Sequence, residues 1–194
     1  MKSTFYLFRI LMVFFLGSSV LNTYSQSKKA GLKFNSLNSV GLLNGETSST
    51  FTMQTINGIS YRKLFAGIGV AIDNYGYRTI PLFLDVRKTF GNRSIQPLLF
   101  ADFGIGFHLK TDQLPEKWWN GVRDFTIKNS FCGEWGVGLE KKVGTSSFFV
   151  TASYSLKKYA FTQNVYWDIG PQGTTLNQFD YTYNRLVLRM GVRL

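Results

Sequence analysis

The sequence predicts an all-β chain, an eight-stranded antiparallel up-and-down transmembrane β-barrel. Three observations carry that prediction. After residue 30 almost every segment alternates with period two, the signature of a strand. One face of that alternation is nearly pure aliphatic and aromatic, while the other holds glycines and charges. Several of the connections are short, and two are long. An aromatic content of 16% and 19 glycines suit strands and tight turns better than helices.

The first strand, Lys33 to Leu43, has the poorest alternation. The second runs Thr50 to Tyr61, with Phe51, Met53 and Thr55 on one face. The third, Phe65 to Asn74, sets Ile68, Val70 and Ile72 against Gly67, Gly69 and Ala71. The fourth, Thr79 to Phe90, sets Leu82, Leu84 and Val86 against Phe83, Asp85 and Arg87. The fifth, Ile95 to Leu109, sets Ala101, Phe103 and Ile105 against Phe100, Asp102 and Gly104. The sixth, Phe131 to Val143, sets Trp135, Val137 and Leu139 against Glu134, Gly136, Gly138 and Glu140. The seventh, Phe148 to Val165, sets Val150, Ala152 and Tyr154 against Thr151, Ser153 and Lys157. The eighth, Tyr181 to Leu194, sets Leu186, Leu188, Met190 and Val192 against Arg185, Arg189 and Arg193.

The connections after strands two, four and six are short, and those at Lys110 to Ser130 and Tyr166 to Asp180 are long. Short periplasmic turns and longer outer loops are the habit of outer-membrane barrels. That places both chain ends on the periplasmic side.

Residues 1–25 read as a cleaved signal peptide and 26–194 as a single β-barrel domain. Lys2 and Arg9 flank the apolar run Ile10 to Leu16, and small residues follow, with Thr23 and Ser25 suited to a cleavage site after Ser25. The run is too short for a membrane-spanning helix, which needs roughly 20 apolar residues. Cys132 is the only cysteine, so no internal disulfide forms. The formal net charge is +11, and loss of Lys2 and Arg9 with the leader leaves about +9. For an exported chain with scattered basic residues, nucleic acid is not the expected partner. Anionic lipopolysaccharide and outer-membrane lipids are.

Period alone does not tell a membrane barrel from a water-soluble one. Aromatics at the strand ends do, because membrane barrels carry aromatic girdles at both interfaces. Tyr75, Tyr77, Trp118, Trp119, Trp135, Tyr166, Trp167, Tyr181 and Tyr183 are expected near the outer boundary; Phe65, Phe90, Phe148 and Phe149 are expected near the inner one. Glycines on the polar face leave room in a narrow lumen for Phe83, Phe100 and the charged side chains. The chain closes on an amphipathic strand, Arg185 to Leu194.

The segments Phe65 to Val70, Ile80 to Arg87 and Arg189 to Leu194 resemble those of the OmpA/OmpX-like eight-stranded bacterial outer-membrane barrels, although such chains often end in Phe and this one ends in Leu194. The resemblance is architectural and covers the whole mature chain. It implies insertion by the outer-membrane assembly machinery and fixes no single activity.

Three groups of residues could carry chemistry. The Gly-x-Gly pairs lie inside strands and cannot be nucleotide-binding turns, which open a helix. His108 with Ser130 and Glu134 is the constellation of a rim-acting lipid hydrolase, since a nucleophilic hydroxyl needs a neighbouring base. Asp85, Arg87, Asp102, Glu134, Glu140, Arg185 and Arg189 form the richest set and read as a plug of ion pairs, because eight strands leave an interior just wide enough for side chains. No cofactor or metal motif is present. The expected function is non-enzymatic: a structural element, or a display of loops to a surface ligand through Trp118, Trp119 and Trp167, and not an open pore. The alternatives are the lipid hydrolase and a soluble periplasmic lipid-binding barrel.

Overall fold

The computed structural model describes residues 31–45, 49–74, 78–108, 122–127, 130–166 and 174–194. Its strands are β1 (Leu32–Asn44), β2 (Ser49–Tyr61), β3 (Leu64–Asn74), β4 (Arg78–Thr89), β5 (Ile95–His108), β6 (Val122–Ile127), β7 (Ser130–Val143), β8 (Ser146–Tyr166) and β9 (Thr174–Arg193). Eight of them form an antiparallel ring in the order β1, β2, β3, β4, β5, β7, β8, β9. The ring closes where β9 pairs with β1, from Leu37↔Arg193 to Asn44↔Leu186. Closure leaves no unpaired edge around the ring, which lipid requires because it offers no hydrogen bonds to backbone groups.

The eight expected strands match the ring strands, and two features of the outer end differ from expectation. The stretch Lys110 to Ser130 contains β6, a ninth strand that pairs with the outer part of β8, Val122↔Val165 to Ile127↔Phe161. In the stretch Tyr166 to Asp180, the residues from Thr174 on are strand, since β9 begins there and pairs with β8 as far as Tyr166↔Thr174. A membrane-crossing strand needs about 9–11 residues. The 21 residues of β8 and 20 of β9 therefore reach well past the other ring strands. With β6 they build a three-stranded extension on the outer end.

Pleating decides which solvent each side chain meets. In β9, Leu186, Leu188 and Met190 point outward and are exposed, while Arg185, Val187 and Arg189 point inward and are buried. The same split runs through β4, with Leu82, Leu84 and Val86 outside and Phe83, Asp85 and Arg87 inside. The result is an inside-out protein, with an apolar belt around a charged interior.

Parity also corrects part of the aromatic assignment. Phe65 and Phe149 sit at the inner ends of β3 and β8, but they occupy inward positions and are only 1% and 3% exposed. They belong to the lumen, not to an inner girdle. Phe148 and Phe90 do face outward at that end. Trp135 faces outward, but it pairs with Ala101 near the middle of β5, so it lies within the belt rather than at its outer boundary. Its ring meets Tyr154 across the strand pair at 5.5 Å. Tyr181 is exposed at the outer end as expected. Tyr75, Tyr77, Trp118, Trp119 and Trp167, and the side chain of Tyr166, lie outside the described residues.

Candidate functional site

Among the described residues, the lumen gathers the buried polar and charged side chains. Its inner half is apolar at the centre: Leu37, Ile56, Phe65, Phe83, Leu98, Phe100 and Phe149 are buried together. Glycine makes this possible in so narrow a ring. A Cβ on Gly136 would come within 2.8 Å of the Phe100 ring, and one on Gly69 would collide with Phe83.

Around these rings the charges are paired. Arg87, 2% exposed, donates from Nε to Asp85 Oδ2 at 2.7 Å, and its guanidinium lies over the Phe100 and Phe149 rings at 4.9 and 5.3 Å. Arg193 reaches Glu140 at 3.1 Å and lies over Phe65 at 5.5 Å. Arg189 makes a two-pronged contact with Glu134, Nη1 to Oε1 and Nη2 to Oε2, the second at 2.8 Å, and the Ser153 hydroxyl donates to the same carboxylate at 2.6 Å. Nearer the outer end, Lys157 Nζ donates to Asp73 Oδ2 at 2.5 Å and to Thr79 Oγ1 at 3.0 Å, and Thr79 donates to the other Asp73 oxygen. Such pairing is what buried charge demands, since an ion taken from water without a partner costs several kcal/mol.

All seven charged residues expected in the lumen are there and buried. Asp85 with Arg87, and Glu134 with Arg189, form the pairs described above. Glu140 is joined by Arg193. Asp102 stands in register between Asp85 on β4 and Glu134 on β7, so three acids lie side by side on adjacent strands. Arg185 is inward and opposite Ser155. The Asp73–Lys157–Thr79 group was missed as a unit. Its signal was available: Asp73 continues the inward series Gly67, Gly69, Ala71 by one more step of two.

Between the two outer ion-pair groups is a cavity of about 30 Å³, lined by Asp73, Asp102, Cys132, Glu134, Lys157 and Arg189 among others. That is room for about two waters, not for a ligand. Cys132 is a buried free thiol facing this space. Among the described residues, no cluster of three or more His, Cys, Asp or Glu side chains is arranged to hold a metal ion.

Of the Ser, His and acid constellation, His108 and Glu134 are not brought together, and the side chain of Ser130 lies outside the described residues. His108 pairs with Thr79 at the outer end of β5, and its ring packs against Tyr159 at 5.2 Å. Glu134 is opposite Asp102, six residues farther along β5, or about 20 Å at the strand rise. It is already bonded to Arg189 and Ser153. The loop candidates Trp118, Trp119 and Trp167 lie outside the described residues.

A closed ring of eight strands with an apolar exterior and an ionic interior defines a class, the small transmembrane β-barrel. The comparisons agree at the level of fold. The outer membrane protein OprG from Pseudomonas aeruginosa superposes with a TM-score of 0.53 at 10% identity, covering 87% of this chain and 97% of OprG. The N-terminal β-barrel domain of Pseudomonas aeruginosa OprF follows at 0.49 and 11%, covering 85% of this chain and 98% of that domain. Neisserial surface protein A gives 0.46 and 14%, covering 85% and 97%. No family model matches the chain, and no curated protein is similar to it in sequence. The apolar belt, the closed ring and the likeness in fold to OprG together give the chain the architecture of an outer-membrane β-barrel.

Proposed function

We propose that the chain is a non-enzymatic outer-membrane barrel whose lumen is a structural plug and whose outer extension is the working surface. The observation that carries this reading is the filling of the lumen. Four ion pairs and a cluster of aromatic and aliphatic side chains occupy it, and the cavity between them is about 30 Å³. A conducting path needs continuous water, and breaking buried ion pairs to make one costs about 3–5 kcal/mol each. The extension of β6, β8 and β9 beyond the ring supports presentation of the outer segments to a surface ligand. In this reading a leader ending at Ser25 directs export, the assembly machinery inserts the barrel, and outer-membrane lipids, with lipopolysaccharide in the outer leaflet, surround the belt. The separation of His108 from Glu134 weighs against a rim hydrolase. An apolar exterior weighs against a soluble carrier.

Planar-bilayer recording of the purified protein tests the plug. The expected result is no stable single-channel current at moderate voltage. Steady porin-like steps would overturn the reading.

A further inference from the structure

The inner end of the barrel carries a one-signed charge. Among the described residues, seven exposed basic side chains lie there: Lys33, Arg62 and Lys63 on the β1–β3 side, and Lys88, Arg93, Lys141 and Lys142 on the β4–β7 side. The acid nearest them, Glu140, is turned inward, 1% exposed and occupied by Arg193. Among the described side chains the sole exposed acid is Asp180, at the opposite end. The turns that hold these residues are sewn together. Thr89 N–H donates to the Lys63 carbonyl at 2.9 Å, and Lys142 N–H donates to the Ser94 carbonyl at 3.2 Å.

Two of the lysines are on the belt itself. Lys88 faces outward between exposed Leu64 and Leu99, its partners on β3 and β5. Lys141 faces outward between exposed Ile95 and Phe148. Lys88 Nζ also lies 5.4 Å from the Phe90 ring centre, and the Arg62 guanidinium 5.3 Å from that of Tyr61. A lysine at the edge of an apolar surface lays its methylenes along that surface and holds its ammonium at the level of the headgroups.

Arg62 adds an independent observation. The β2–β3 and β7–β8 hairpins both have two-residue turns, closed by Tyr61↔Leu64 and Val143↔Ser146. Their first turn residues share a left-handed backbone, φ +56° at Arg62 and +62° at Gly144. One turn uses glycine, which adopts that conformation freely; the other holds an arginine against its conformational preference. Non-glycine residues kept in such a conformation cluster at functional sites.

We propose that the inner rim of the barrel is a binding site for the anionic phosphate headgroups of phospholipids in the membrane's inner leaflet, with Lys88 and Lys141 gripping phosphates whose acyl chains lie on the belt, and Arg62 and Lys63 extending the site around the rim. A soluble anionic polymer of the periplasm could engage the turns, but it could not use lysines that rise among exposed Leu64, Leu99, Ile95 and Phe148. Lipid can use both.

The test is lipid selectivity of the full chain in phosphatidylcholine vesicles, read with spin-labelled phosphatidylglycerol against spin-labelled phosphatidylcholine. The wild type should prefer phosphatidylglycerol several-fold, and added salt should weaken that preference. The double variant Lys88→Gln/Lys141→Gln should lose most of that preference, since each basic residue at anionic headgroups contributes up to about fivefold and two are removed. The double variant Arg78→Gln/Lys158→Gln, at the outer end, should keep the wild-type preference. The wild-type preference and its salt dependence require no substitution, so the proposal is testable even if a variant folds poorly. No preference in the wild type would overturn it, as would equal losses in the two double variants. Binding of the wild type to purified peptidoglycan without any lipid preference would also overturn it and assign the rim to the polymer.

Discussion

Leu188 and Arg189 are neighbours in β9, yet the first is 60% exposed on the belt and the second 6% exposed in the lumen. The two surfaces of the same wall obey opposite rules. On the belt, position matters little so long as the side chain is apolar, because lipid is a uniform solvent. In the lumen, three of the four ion pairs among the described residues join different strands, Arg189 on β9 with Glu134 on β7, Arg193 on β9 with Glu140 on β7, and Lys157 on β8 with Asp73 on β3, while Arg87 meets Asp85 on its own strand. The belt therefore specifies location, and the lumen specifies register and closure. Changes on the belt should be graded by polarity, and changes in the lumen by whether a partner is left behind.

The largest expected effect is in the lumen. Arg189→Leu leaves Glu134 buried without its cation and should destabilise the folded barrel by about 3–5 kcal/mol, read by urea unfolding in vesicles. Removing both partners, Arg189→Leu with Glu134→Leu, should restore most of that loss, because paired burial contributes little net stability. If the single and double variants were equally damaged, the pair would not be the unit of lumen stability.

Leu188→Arg comes next. It places a cation in the belt at a cost of about 2–4 kcal/mol near the midplane, and it has no compensating partner to remove. Slower or incomplete folding into vesicles, followed by the heat-modifiable gel shift, is the expected outcome. Unchanged folding would mean that this face does not meet lipid.

The smallest effect sharpens the comparison within one dipeptide. Ser153→Ala removes a hydroxyl that donates to the Glu134 carboxylate at 2.6 Å and should cost about 1.5–3 kcal/mol. Its outward neighbour, Ala152, has no such partner to lose, and Ala152→Gly should be felt only through strand propensity, which spans about 1 kcal/mol. Equal costs at 152 and 153 in urea unfolding would remove the distinction between the faces.

The faces were legible in the sequence because each residue's solvent is set by parity, and parity is local. That is why Asp85, Asp102, Glu134 and Arg189 could be placed in the lumen from alternation alone. Their partners were not legible, because pairing depends on which strands become neighbours across the ring. Lys157 finds Asp73, 84 residues away. Phe65 and Phe149 stand at strand ends, where a girdle is expected, but their parity is inward and parity decides. The outer extension escaped notice for a different reason. Thr174 to Asp180 reads Thr-Thr-Leu-Asn-Gln-Phe-Asp, with no clean alternation, and above the membrane neither face of a strand is forced to be apolar. Val122 to Ile127 is short and carries Arg123 and Asp124 in its middle, which reads as loop.

The central claim is that the apolar face meets lipid, and Trp135 reports on it most directly. It faces outward, opposite Ala101 in the middle of β5. In a chain carrying Trp118→Phe, Trp119→Phe and Trp167→Phe, its fluorescence can be measured in vesicles made from phospholipids brominated along the acyl chains. The account predicts strong quenching by bromine placed within the hydrocarbon and little by an aqueous quencher such as iodide. Efficient quenching by iodide, with none from the brominated chains, would contradict it.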